Sequence, residues 1–161
     1  MLLAAVAVIL VALDQFVKYW VKEQIPLYGA RSFLEGFIQL THVQNLGAAW
    51  STFSGMRWVL VSISAVVSVA IVVLLSRRIV RYPLGRWALT IVLAGAVGNL
   101  IDRAIFGYVT DMFRFQFFEF PVFNVADMCV VIGGILTGIY YVFFYEKHDG
   151  KRERRDEAAG D

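Results

Sequence analysis

In a chain this apolar, the carboxylates stand out as the groups able to do chemistry. Asp127, in FPVFNVADMCVV, has no basic residue three or four positions away, and Asp111, in YVTDMF, has only Arg114, in a segment that does not read as regular helix. Two carboxylates sharing a partly dry site cannot both ionise cheaply, so one pKa rises and the pair holds a single proton. In that state one carboxylate can take a proton from water as it attacks a peptide carbonyl, while the protonated partner donates to the carbonyl oxygen. Such a pair calls for no metal, no cofactor and no covalent intermediate.

Other hydrolytic chemistries lack their parts. A helix-borne zinc site needs HExxH, and the chain has two histidines, His42 and His148, far apart in sequence. A serine nucleophile such as Ser54 would need a histidine at membrane depth, and no span holds one; Ser54 reads as a turn former. Four polar residues have the character of a shell around the carboxylates: Asn45 in NLGAAW, Asn99 and Arg103 in GNLIDR, and Asn124 in FNVADM. An asparagine both donates and accepts, so it can orient a carboxylate or hold an extended peptide. Hydrogen bonding between packed helices is an equal contender for each asparagine taken singly. Arg103 could tie down a loop or bind a carbonyl.

Asp14 and Lys18 stand four apart on one helix and can neutralise each other, which favours a structural or positioning role. Asp102 and Arg103 are adjacent, so on a helix they point about 100° apart and require different partners.

The elements that must position these groups cross a membrane. Of 161 residues, 59% are hydrophobic and 15% aromatic, and mean hydropathy is +0.66, well above ordinary soluble composition. A spanning helix needs about 20 apolar residues, and four stretches qualify, near 1–21, 58–76, 87–106 and 122–145. The first has no Lys or Arg ahead of its apolar run and is interrupted by Asp14 and Lys18, so it reads as a retained helix rather than a cleaved signal.

Net charge is only +2, which implies no nucleic-acid partner, but the basic residues are unevenly placed. Arg77, Arg78, Arg81 and Arg86 crowd the second connection, and Lys147, Lys151, Arg152, Arg154 and Arg155 crowd the C-terminal end. The positive-inside rule makes both cytoplasmic, with the N-terminus, and puts 22–57 and 107–121 on the outer face. The first outer segment, aromatic and β-branched with spaced glycines, reads as a small β-rich lobe over about 30–55. The second, MFRFQFFEFPVF, reads as an interfacial aromatic segment. Residues 1–146 then form one membrane domain, and the charged 147–161 form a solvated, disordered tail. Cys129 is the single cysteine and reads as a small buried residue.

The blocks DQFVK (14–18), NLGAAWS (45–51), GNLIDR (98–103), YVTDMF (108–113) and FNVADM (123–128) occur in an order and layout that resembles the lipoprotein signal peptidases, or signal peptidase II, of bacterial inner membranes. The resemblance runs from about Asp14 to Tyr145. Trp50 and Met112 depart mildly from it, each standing where phenylalanine is frequent. It implies that Asp111 and Asp127 are the catalytic pair, that Asn45, Asn99, Arg103 and Asn124 bind substrate or organise the site, and that Asp14, Lys18 and Asp102 give structural support. It also implies the substrate: a diacylglyceryl-modified prolipoprotein cut just before its lipidated cysteine. The expectation is an all-α membrane protein of four transmembrane helices with a small extracytoplasmic β-rich lobe. It is expected to be an aspartic endopeptidase acting as a monomer in membrane lipid, without cofactor, metal or nucleic acid.

A rival reading makes the protein a small transporter or channel subunit with Asp14, Asp102 and Asp127 as a proton or ion relay. The carboxylates gather toward the outer end and the second span lacks charge, which disfavours a through-path. A non-catalytic membrane assembly factor would leave the ordered blocks unexplained.

Overall fold

The computed structural model describes residues 1–47, 53 and 55–151. The second half of the NLGAAWS block with Trp50, the Ser54 turn and the basic residues Arg152, Arg154 and Arg155 lie outside the described residues.

Among the described residues, four helices are long and apolar enough to cross a membrane: α1 (Leu2–Gln24), α2 (Arg57–Ser76), α3 (Pro83–Ile105) and α4 (Val125–Tyr140), the last continuing as a π-helical run, Tyr141–Gly150. Their limits follow from local chemistry. Ile25 precedes Pro26 and is extended, with φ −127° and ψ 119°, as a residue before proline prefers, and this ends α1. Pro83 opens α3, where its missing N–H costs nothing.

α3 is the central helix. It packs against α1, α2 and α4, and 39% of its most apolar window is buried, against 11–17% for the other three. The outward faces of those three are apolar and uncovered, as lipid requires. α3 and α4 approach closely because the contact is built from small residues: a Cβ on Gly95 would meet the carbonyl oxygen of Ala126, and one on Gly133 would lie 2.9 Å from the carbonyl oxygen of Ala88.

The β-rich lobe is a three-stranded antiparallel sheet among the described residues, ordered β1 (Ala30–Leu34), β2 (Ile38–Asn45), β3 (Val109–Phe115). β1 and β2 lie between α1 and α2, whereas β3 lies between α3 and α4, so both connections meet at the same end of the bundle. Leu40 and Met112 of the sheet pack with Val21 of α1 and with Ile25, just past its end. The aromatic segment expected only to lie in the interface thus begins as the third strand. Phe113 pairs back to Phe123, which folds the loop between them over the sheet, with Phe37 stacked on Phe117 at 4.9 Å.

At the opposite end, helix persists through Lys147–Gly150, residues that the sequence assigns to the solvated tail. The reason is Asp149, which is buried. It accepts from the Tyr140 hydroxyl at 2.5 Å and from the backbone N–H groups of Arg81 and Tyr82 at 3.2 Å. His148 packs against Tyr82, the rings tilted by 34° with centroids 4.1 Å apart.

Candidate active site

Two elements deliver the two carboxylates. Asp111 lies in the buried half of β3, opposite Val43 of β2. Asp127 is the third residue of α4, and Asn124 caps that helix. The cap is reciprocal: the Asn124 side chain accepts from the Asp127 N–H at 2.9 Å, and the Asp127 carboxylate accepts from the Asn124 N–H at 3.1 Å. The helix start therefore fixes where Asp127 can point.

Asparagines hold both carboxylates. Asp111 accepts from Asn45 Nδ2 at 2.9 Å and from Asn124 Nδ2 at 2.6 Å. Asp127 accepts from Asn99 Nδ2 at 2.8 Å. Asn124 also donates to Asn99 Oδ1 at 3.3 Å, so a continuous amide chain joins the two acids. Arg103 donates to the carbonyl of Gly47 at 2.9 Å and so ties β2's exit to α3. Its buried Nε has no hydrogen-bond partner among the described residues.

Asp111, Asp127, Asn45, Asn99 and Arg103 all line one cavity of about 680 Å³, whose remaining walls are mainly apolar residues of α2, α3, α4 and the 120–123 loop. That size suits a small-molecule or peptide segment. Asp111 is pushed up to about 7, first by burial and then by the nearby Asp127 charge; hydrogen bonds from Asn45 and Asn124 and the Lys18 charge oppose the rise. A carboxyl group near neutrality beside a second carboxylate can both give and take a proton under ordinary conditions.

Asp14, Lys18 and Asp102 lie behind this site and do not line the cavity. Lys18 pairs with Asp14 at 2.8 Å, four residues apart as the spacing predicts, and also with Asp102 at 3.2 Å. Asp102 and Arg103 take different partners, as adjacent helical residues must. Sequence reasoning passed over Gln15, whose amide donates to Asp14, to Asp102 and to the carbonyl of Gly98 at 2.9–3.2 Å. It also passed over Arg57, which donates to the carbonyls of Arg103 and Ala104 at 2.7 Å and caps the end of α3. The one available signal for Arg57 was a lone cation at the start of an apolar span.

Comparison with known proteins places this geometry. The family model described as signal peptidase (SPase) II matches residues 6–144. The chain is 44% identical over 140 residues to a lipoprotein signal peptidase of Enterococcus faecalis, covering 85% of each chain. It is 41% identical to one of Brevibacillus brevis, covering 92% of this chain and 97% of that one. A bacterial membrane enzyme solved by the in meso method at 2.3 Å resolution superposes with a TM-score of 0.82 at 28% identity, over 91% of this chain and 90% of that one. With the four spanning helices and the small sheet, these matches show that the chain belongs to the signal peptidase II family, the lipoprotein signal peptidases of bacterial membranes.

Proposed function

We propose that the protein is an aspartic endopeptidase that removes the signal peptide from diacylglyceryl-modified prolipoproteins, cutting just before the lipidated cysteine. The observation that carries this reading is the pair of buried Asp111 and half-buried Asp127, held by asparagine donors and both opening on one largely apolar cavity. One carboxylate removes a proton from water as the oxygen attacks the scissile carbonyl carbon. The other, protonated, donates to the carbonyl oxygen, giving a neutral tetrahedral diol. Collapse returns a proton to the leaving nitrogen, the C–N bond breaks, and the products are a new carboxyl group and a free α-amino group on the cysteine. Because the two acids titrate as a unit, the shared proton belongs to the pair.

The basic residues between α2 and α3 argue that this connection faces the cytoplasm. Both termini would then be cytoplasmic, and the sheet and dyad would sit at the outer face. A lipid-anchored signal peptide would present its scissile bond there, with the acyl chains left in the bilayer. The 113–123 segment and the sheet would hold the peptide from two sides.

The test is cleavage of a purified diacylglyceryl-prolipoprotein in detergent micelles, followed by gel shift. Wild type is expected to convert it, and folded Asp111→Asn and Asp127→Asn variants are expected to be inactive. Full cleavage by both variants overturns the reading.

A further inference from the structure

The polar residues of α1 raise a question that the cavity does not answer. Asp14 and Lys18 are each 1% exposed, as is Asp102 of α3, and no residue of α1 lines the cavity. A buried ion cluster is weak evidence for stability, because apolar packing of the same volume often serves as well or better. What the cluster touches is more informative.

Asp14 Oδ1 accepts from the backbone N–H of Ala126 at 2.8 Å, and Ala126 directly precedes Asp127. Asp102 Oδ2 accepts from the backbone N–H of Thr110 at 3.1 Å, and Thr110 directly precedes Asp111. The other oxygen of Asp14 and the same Oδ2 of Asp102 both bind Lys18 Nζ. The third acceptor on Lys18 is Asn99 Oδ1 at 3.0 Å, which turns the Asn99 amide so that its Nδ2 faces Asp127. The three donors of one ammonium group are thereby spent on three arms. Two reach the backbone next to one or other acid, and the third reaches a side chain that binds Asp127.

We propose that Lys18, acting through Asp14, Asp102 and Asn99, is the gauge that sets the separation and relative orientation of Asp111 and Asp127. This rests on those two acids being the reacting pair. Asp14, Lys18 and Asp102 are positioning residues, because none of them reaches the cavity. Gln15 braces the gauge by bridging Asp14 Oδ2, the oxygen that also binds Lys18, and Asp102 Oδ1, the oxygen that Lys18 leaves free. Fixing the two backbones from a common point matters because α4 and β3 are otherwise independent elements, joined near the site by Asn124 and the Phe113–Phe123 bridge. A misplacement of about 1 Å in such a constellation costs about 100-fold in rate.

Asp14→Ala and Asp102→Ala each remove one arm while leaving Lys18 a carboxylate partner. The assay is kcat, KM and the pH–rate profile with a diacylglyceryl-prolipoprotein. The charged groups that face the pair are Lys18 from α1 and Asp102 and Arg103 from α3, with Asp14 behind Lys18. The expected result is a fall in kcat of about 100-fold, KM within about twofold, and a change in the spacing of the two limbs of the pH profile, because the coupling between the acids depends on their separation. A kcat loss that only matches the unfolded fraction, with limbs superimposed on wild type, overturns the proposal. Should the alanine variants not fold, Asp14→Asn and Asp102→Asn keep an oxygen for the N–H group and lose the charge on that arm; the limb spacing is read in the same way. Asp111→Asn and Asp127→Asn are run alongside. Cleavage by both defeats the reading of the pair itself, whereas loss of both with unchanged gauge variants defeats the gauge alone.

Discussion

Asn124 and Asp127 hold each other through both ends of the first turn of α4, each accepting from the other's backbone N–H at 2.9 and 3.1 Å. The same asparagine then reaches across to Asp111 at 2.6 Å. One side chain therefore does two separable things: it caps a helix, and it links the two proposed catalytic acids. Serine caps about as well as asparagine, whereas alanine costs about 1 kcal/mol. Serine is too short to reach Asp111. Asn124→Ser is expected to keep the cap and so stay about 1 kcal/mol more stable than Asn124→Ala, to fall below wild type by the bond to Asp111 that it cannot make, and to lose about 100-fold in kcat, the scale set by misplaced catalytic groups. Asn124→Ala should lose both. Thermal unfolding in micelles and cleavage kinetics on the same preparations separate the two effects.

The first turn of α4 is also held from behind by Gly95. A methyl group there would press on the Ala126 carbonyl and come within 2.8 Å of Val130 Cγ2. The carbonyl cannot rotate away without breaking the helix start, so α4 must shift and carry Asp127 with it. Gly95→Ala is expected to cost about 1–3 kcal/mol and to lower activity beyond what the lost stability explains. Gly134, on the same interhelical bundle, has nothing within 4 Å of its missing Cβ. Gly134→Ala should be neutral or stabilising by about 0.5–1 kcal/mol, which makes it the control.

The sequence exposed the spans and the acids for the same reason: at membrane depth an ionisable residue is costly, so each one is conspicuous. Asp14 and Lys18 were legible as a pair because helical spacing alone brings them together. β3 was hidden because Val109, Thr110, Asp111 and Met112 are all buried, so its first half shows none of the alternation that marks a strand. Gln15 was hidden because a neutral amide beside two charges carries no signal until its three acceptors are seen. The helical run through Gly150 was hidden because Asp149 finds its partners in the backbone of a distant turn, and among Lys147, His148 and Lys151 it reads as one more solvated charge.

That distant turn offers a test of stability without chemistry. Asp149 lies about 30 Å along the helix from Asp127, at 1.5 Å per residue. Tyr140→Phe removes the hydroxyl that donates to it and leaves the N–H groups of Arg81 and Tyr82 in place. A hydrogen bond to a charged group is worth about 1.5–3 kcal/mol. The variant should therefore unfold at a lower temperature while the folded fraction cleaves substrate at the wild-type rate. Specific activity, corrected for folded protein, is the measurement.

The pH dependence of stability follows from Asp111. Burial, with the Asp127 charge, holds its pKa at about 7 in the folded protein, whereas a free aspartate titrates near 3.9. Between about pH 4 and 7 the native state keeps a proton that the unfolded chain releases. Stability contributed by this group is therefore fully present below about pH 4, falls as the pH rises through 7, and is level above. Asp111→Asn cannot ionise and escapes that loss. An amide does present one donor toward Asn45 or Asn124, both of which already donate, and this mismatch costs about 1–3 kcal/mol at every pH. The offset is constant, so the sign of the pH trend survives it. In thermal unfolding from pH 5 to 8, the difference between variant and wild type should move in the variant's favour up to about pH 7 and level off above it. A difference independent of pH would mean that Asp111 is already ionised across the whole range in the folded protein.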